Sequence, residues 1–225
     1  MPSRAALQAS QAATERKIND DKTFKVASDF VKRKVTKMFA GSALFTEDNF
    51  SQMPSFTNKE MVYGRVLGRG GFGIVNDVKS LTIDKSVERA DTENCKALAS
   101  QCVNPKTGAI NYAIKQLSTE CKCDANKLVQ GIMDMAVETY FLSSLSHPNI
   151  IKLNANRVGD IYHHCYFVIM DKLTETLEQR LFKWKQKSTK LFRKTKDKDK
   201  QKYFRMGLGY GIDIASALEY LHEMR

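Results

Sequence analysis

Leu67-Gly68-Arg69-Gly70-Gly71-Phe72-Gly73-Ile74-Val75 decides how this 225-residue chain is read. Gly68, Gly70 and Gly73 stand at G-x-G-x-x-G spacing. That spacing serves two different devices. In one, the glycines open a helix whose N-terminus holds a pyrophosphate. In the other they join two strands and lay backbone N–H groups over phosphates. The following residues separate the two. Ile74-Val75-Asn76-Asp77-Val78 is an alternating, β-branched run with poor helix propensity. The stretch is therefore a strand-turn-strand hairpin, with strands over 62–67 and 74–78. Phe72 stands at its tip.

Outward from the hairpin, residues 80–110 are polar and charged, with a turn at Asn104-Pro105-Lys106-Thr107-Gly108. They are too long for a hairpin connection and predict an inserted surface loop. A third strand spans 111–117. In Tyr112-Ala113-Ile114-Lys115 the alternation puts Ala113 and Lys115 on one face. Helical periodicity runs through 125–145 by way of Leu128, Ile132, Met135, Phe141, Leu142 and Leu145, and Pro148 ends it. Two more strands follow at 150–158 and 166–170, then helices near 176–186 and 203–223. Upstream, residues 1–22 are Ala/Gln-rich and expected to be disordered. Residues 23–40 predict an amphipathic helix on the back of the domain, with a partner or a membrane surface as the alternative.

Five strands with one helix after the third, then helices, together with these motifs, resemble a eukaryotic protein kinase of the serine/threonine type. The resemblance covers about residues 60–225. It implies an α+β fold: a kinase small lobe with a five-stranded antiparallel sheet and one helix, then the first helices of an incomplete large lobe. The implied divisions are an N-terminal extension over 1–56, a small lobe over 57–173 and a large-lobe start over 174–225.

It also implies ATP and Mg2+ as cofactors and a protein substrate for the complete enzyme. Leu67, Gly68, Arg69, Gly70, Gly71, Phe72, Gly73 and Val75 would cover the nucleotide. Ala113 would leave room for the purine, and Lys115 would reach the phosphates. Glu138, nine residues before His147, is the expected ion-pair partner of Lys115. Asp134 and Glu120 compete for that role, but Asp134 lies outside the matched frame. Met170 would stand behind the base, and the backbone of Asp171 and Leu173 would bond its edge. His147 reads as a turn and packing residue.

The His-Arg-Asp and Asp-Phe-Gly segments that supply such a kinase's catalytic Asp and its metal ligands do not occur among these residues. The expectation is that this chain alone transfers no phosphate. The alternatives are a pseudokinase-like nucleotide-binding regulator and a basic interaction module.

The second alternative comes from charge. Of the net +11, nine charges lie between Lys183 and Arg205. Such a run is ordinarily a solvated loop, and a nuclear-import signal, an acidic partner or a nucleic-acid contact is the functional alternative. Five cysteines, an odd number at irregular spacing, fit reduced thiols in a cytoplasmic or nuclear setting. Cys121-Lys122-Cys123 with His163-His164 is a weak metal pattern, and no metal ligand is assigned. No run approaches the ~20 apolar residues of a membrane span.

Overall fold

The computed structural model describes residues 4–42, 53–89, 91–191 and 197–224. The chain divides into two compact units. The first takes residues up to Ser144 together with Leu153–Asp171, and the second takes Leu145–Lys152 and the residues from Lys172 on.

The first unit is built on one sheet. Its strands are β1 (Ser55–Phe56), β2 (Met61–Arg69), β3 (Gly73–Leu81), β4 (Tyr112–Leu117), β5 (Leu153–Arg157) and β6 (Phe167–Asp171), in the order β1-β5-β6-β4-β3-β2. Every pairing is antiparallel except that of β1 with β5. The expected five strands are thus six. The extra one is only two residues long, too short to carry a period-2 signal. Among the described residues the fold is mixed α+β, with helices α1 (Arg4–Met38), α2 (Thr92–Ser100), α3 (Thr119–Lys122), α4 (Ala125–Ser144), α5 (Leu177–Leu191) and α6 (Asp197–Glu223).

The stretch 80–110 is more than a surface loop. It carries α2, capped by Asp91, whose carboxylate accepts the Asn94 N–H at 2.9 Å. Cys95 of α2 and Cys102 just beyond it are buried in one core with Phe56, Val78, Tyr112, Ile114, Phe167 and Ile169. The insertion therefore covers one face of the sheet. A short helix with only Cys95, Leu98 and Ala99 turned inward does not stand out from a charged background.

Beside it lies a buried ion pair. Arg89 and Glu60 are almost wholly inaccessible and bond each other. Arg89 also donates to the carbonyls of Ser55 at 2.9 Å and Asp84 at 3.2 Å. Glu60 accepts the N–H groups of Thr57 at 2.7 Å and Asp84 at 2.6 Å. Burial opposes the charge on Glu60, but these hydrogen bonds outweigh it and hold the carboxyl below its usual range.

The opposite face of the sheet carries Ala113, Lys115, Val168 and Met170, and α4 lies on that side. α1 packs on α4, burying Ala27, Val31 and Val35. α1 takes in both the amphipathic segment 23–40 and the stretch expected to be disordered. Its Ala, Gln and Lys content suits a helix. Ser28 Oγ donates to the Tyr162 carbonyl at 2.8 Å, and Phe24 stacks on His164 at 3.9 Å. Burial, with His163 adding to it, lowers the His164 pKa to about 4 from 6.5. The unfolded chain therefore takes up a proton that the folded chain refuses, and stability falls as pH drops through that window. A His164→Gln variant should show a shallower fall in melting temperature between those two pH values. An unchanged slope would contradict this.

The second unit contains α5 and α6. The basic run 183–205 is helical up to Leu191 and again from Asp197. Of the loop expected at 187–202, both flanks are helical, and residues 192–196 lie outside the described residues. Lysine-rich sequence carries no helix penalty, so charge alone does not mark a loop. His147 stacks on Tyr220 at 5.1 Å, and its Nδ1 accepts the Asn149 N–H at 3.1 Å, consistent with a turn and packing residue. Phe204, Leu208, Ile212 and Leu218 of α6 are exposed.

Candidate functional site

Antiparallel pairing of β2, β3 and β4 fixes the site. Gly68 pairs with Val75, and Val75 pairs in turn with Lys115. The glycine turn therefore lies two strands from the lysine, and Val75 sits between them. A pocket of about 490 Å³ opens there, walled by residues 68–73, Val75, Lys115 and Leu117 on the sheet side. Gly131, Asp134 and Met135 of α4 form its other wall. Glu138, one turn beyond Asp134, forms an ion pair with Lys115 Nζ. Both side chains are about one-third exposed or less, so the pair borders the cavity rather than being sealed in the core.

The turn is held at three points. The Gly70 N–H donates to the Gly73 carbonyl at 2.9 Å, and the Ser118 N–H donates to the Phe72 carbonyl at 3.0 Å. Arg69 pairs with Glu120 at 3.5 Å. The Glu120 carboxyl is held below its usual range by hydrogen bonds from its own backbone and from Ser118, with Arg69 adding to them. The Gly70 amide is thus used inside the turn and does not point freely at a ligand.

The glycines here answer a need for room rather than for an unusual backbone. Positive φ occurs at Gly41, Gly108 and Gly159, and at none of the loop glycines. A Cβ at Gly68 or Gly71 would meet nothing within 4 Å, although both positions wall the pocket. Side chains there would occupy space that is now left for a ligand. The pocket thus offers glycine backbone on one side and an ammonium group on the other, a donor set suited to phosphate oxygens.

Leu117, Gly131 and Met135 are wall residues the sequence reading missed, and Gly131 is the most confined of them. A Cβ on it would lie 2.8 Å from Cys121 Sγ, 2.9 Å from Leu117 Cδ2 and 3.2 Å from Phe72 Cβ. Its signal was a lone glycine inside a strongly periodic helix. Gly131→Ala should destabilise the protein by about 1–2 kcal/mol, because two contacts under 3.0 Å put the overpacking cost in the upper half of ~1–3 kcal/mol and the gain in helix propensity is only ~1 kcal/mol. Chemical denaturation would check this, and a variant as stable as the parent would refute it.

The other expected contacts are less gathered. Leu67, Ala113, Met170 and Asp171 lie on the same sheet but are not among the pocket's walls. Ala113 pairs with Met170, and both are buried. Asp171 pairs with Tyr112, and its carboxylate accepts the Asn154 amide at 2.8 Å. Leu173 belongs to the second unit and is 67% exposed. Asp134, set aside earlier as out of frame, does wall the pocket, whereas Glu120 pairs with Arg69 instead of Lys115.

Cys121 and Cys123 do not join His163 and His164. The buried Cys121 thiol donates to the Lys127 carbonyl at 3.1 Å. Among the described residues, the ligand-type atoms that lie within 4.8 Å of one another are instead those of His163, His164 and Cys165. His163 Nδ1 already accepts the Cys165 N–H at 3.0 Å.

No family model matches the chain. A curated relative, described as "Probable serine/threonine-protein kinase qkgA" of Dictyostelium discoideum, is 26% identical over 126 residues. The match takes in 51% of this chain and 8% of that protein. No helix among the described residues is long and apolar enough to cross a membrane. Over about half of its length, then, this chain resembles a serine/threonine protein kinase.

Proposed function

We propose that this chain is the ATP-binding portion of a protein serine/threonine kinase. The observation that carries the reading is the Lys115–Glu138 ion pair beside a glycine-walled pocket. Lys115 binds and orients phosphate oxygens, and Glu138 fixes the position of the ammonium group. The hairpin lies over the nucleotide as a cover and limits water at the phosphates. Val75 flanks the base, and by the family resemblance Leu67, Ala113, Met170 and the backbone of Asp171 meet it beyond the walls of the present pocket.

ATP, when bound, supplies the γ-phosphoryl group that the complete enzyme passes to a protein hydroxyl. Mg2+ accompanies it by family resemblance, and none of these residues is assigned to hold it. A second reading is a nucleotide-binding regulator without transfer, supported by the same ion pair and pocket. Equilibrium titration with ATP, run beside a transfer assay, tests both. Saturable ATP binding without transfer is the expected result. Absence of binding at millimolar ATP would end both readings.

A further inference from the structure

A second cavity lies on the outer side of α4, between it and α1. It is an open groove of about 860 Å³. Its α1 wall is a single helical stripe, Lys22, Val26, Phe30, Arg33 and Lys34. Its α4 wall is a matching stripe through Val129, Gln130 and Met133. Val26 is 61% exposed and Phe30 47%, while Val31 and Val35 on the next α1 face are buried. Helix packing therefore does not account for Val26 and Phe30. Each ionisable residue on the groove's walls is cationic, namely Lys22, Arg33 and Lys34.

We propose that this groove docks an acidic amphipathic helix from a protein partner. The floor is apolar, so the partner presents apolar anchors at i, i+4 and i+7 spacing. The rim is cationic, so Asp or Glu residues flank those anchors. A second copy of this chain fits poorly, because each copy carries +11 and the two repel. A lipid surface also fits poorly. Membrane-lying helices present a protruding apolar face, whereas this surface is a concave trough between two helices. An occupant would touch Val129 and Met133, on the same helix that carries Glu138.

The test is selection of helical peptides from a displayed library against the purified full chain, followed by direct binding measurements. Selected peptides should carry the spaced anchors and a net negative charge. Their affinity should fall on the order of tenfold or more in Phe30→Asp and in Lys34→Glu, as it does at buried anchors and paired charges. Lys115→Met should leave peptide binding unchanged, so failure of the nucleotide reading would not be mistaken for failure of this one. Phe30→Ser and Val26→Ser provide milder variants should Phe30→Asp unfold the chain. The proposal falls if no peptide binds in the micromolar range. It also falls if the selected peptides lack acidic residues or ignore all four substitutions. Binding of phosphatidylserine vesicles that requires Phe30 and Lys34, with no peptide binding, would replace the partner helix by a membrane and overturn it too.

Discussion

Lys115→Met should weaken ATP binding on the order of tenfold to a hundredfold while hardly moving the melting temperature. The two effects separate because the Lys115–Glu138 pair is about one-third exposed. A solvent-screened pair of that kind contributes only ~0–1 kcal/mol to folding. A charge-assisted bond to a phosphate oxygen is stronger, ~1.5–3 kcal/mol. Removing the ammonium also leaves the Glu138 carboxylate facing the phosphates without its counter-charge. The double variant Lys115→Met with Glu138→Gln should therefore recover part of the affinity lost in the single one. Calorimetric titration with ATP decides this. Undiminished affinity in Lys115→Met would remove Lys115 from the site. A large loss of stability with it would make the pair structural instead.

Arg89→Ala should cost about 3–5 kcal/mol of stability, the usual penalty for stranding one member of a buried ion pair. Domains hold only ~5–15 kcal/mol in all, so the variant should sit near the edge of folding at room temperature. The guanidinium is at once the partner of Glu60, a donor to two carbonyls and a cap over the Phe56 ring at 5.9 Å. Its loss thus leaves the Glu60 charge buried with only backbone donors.

The same pair sets an acid response. The folded pKa of Glu60 lies below its ordinary 4.5. Its contribution is therefore complete above 4.5 and is lost as pH falls through the lower folded value. Urea denaturation at neutral pH and below pH 4.5 should show the gap between parent and Arg89→Ala narrowing in acid. A cost under about 0.5 kcal/mol at neutral pH, the level of an ordinary surface change, would show that the pair is dispensable.

The parts of the fold that were legible carry strong local patterns. The glycine spacing followed by Ile74-Val75 fixed the β2–β3 hairpin, and alternation in Tyr112–Lys115 placed β4. The apolar period through Leu128, Ile132 and Met135 delimited α4 to within a residue of its end. What escaped depends on tertiary partners. β1 exists because β5 offers it an edge, and two residues hold no period. α2 turns three small or apolar residues inward from a charged stretch, so burial of Cys95 and Cys102 is visible only once the sheet face beneath them is known. In the site, Lys115 and Glu138, which form an ion pair, were expected as partners from the resemblance to a kinase. Gly131 was not, because its role is the space it leaves for Leu117, Cys121 and Phe72.

Short as it is, β1 determines where this domain can be cut. The Asn156 N–H donates to the Pro54 carbonyl and the Val158 N–H to the Phe56 carbonyl, each at 3.0 Å. Those two bonds cap the β5 side of the sheet and leave β2 as its other border strand. A recombinant fragment begun at residue 57, where the first regular strand would suggest starting, loses both bonds. It also loses the fully buried Phe56 ring and the Ser55 carbonyl that anchors Arg89. Such a fragment presents β5 as a bare, pairable border and should self-associate. One begun before Pro54 keeps that border closed and is the form in which nucleotide binding is best measured.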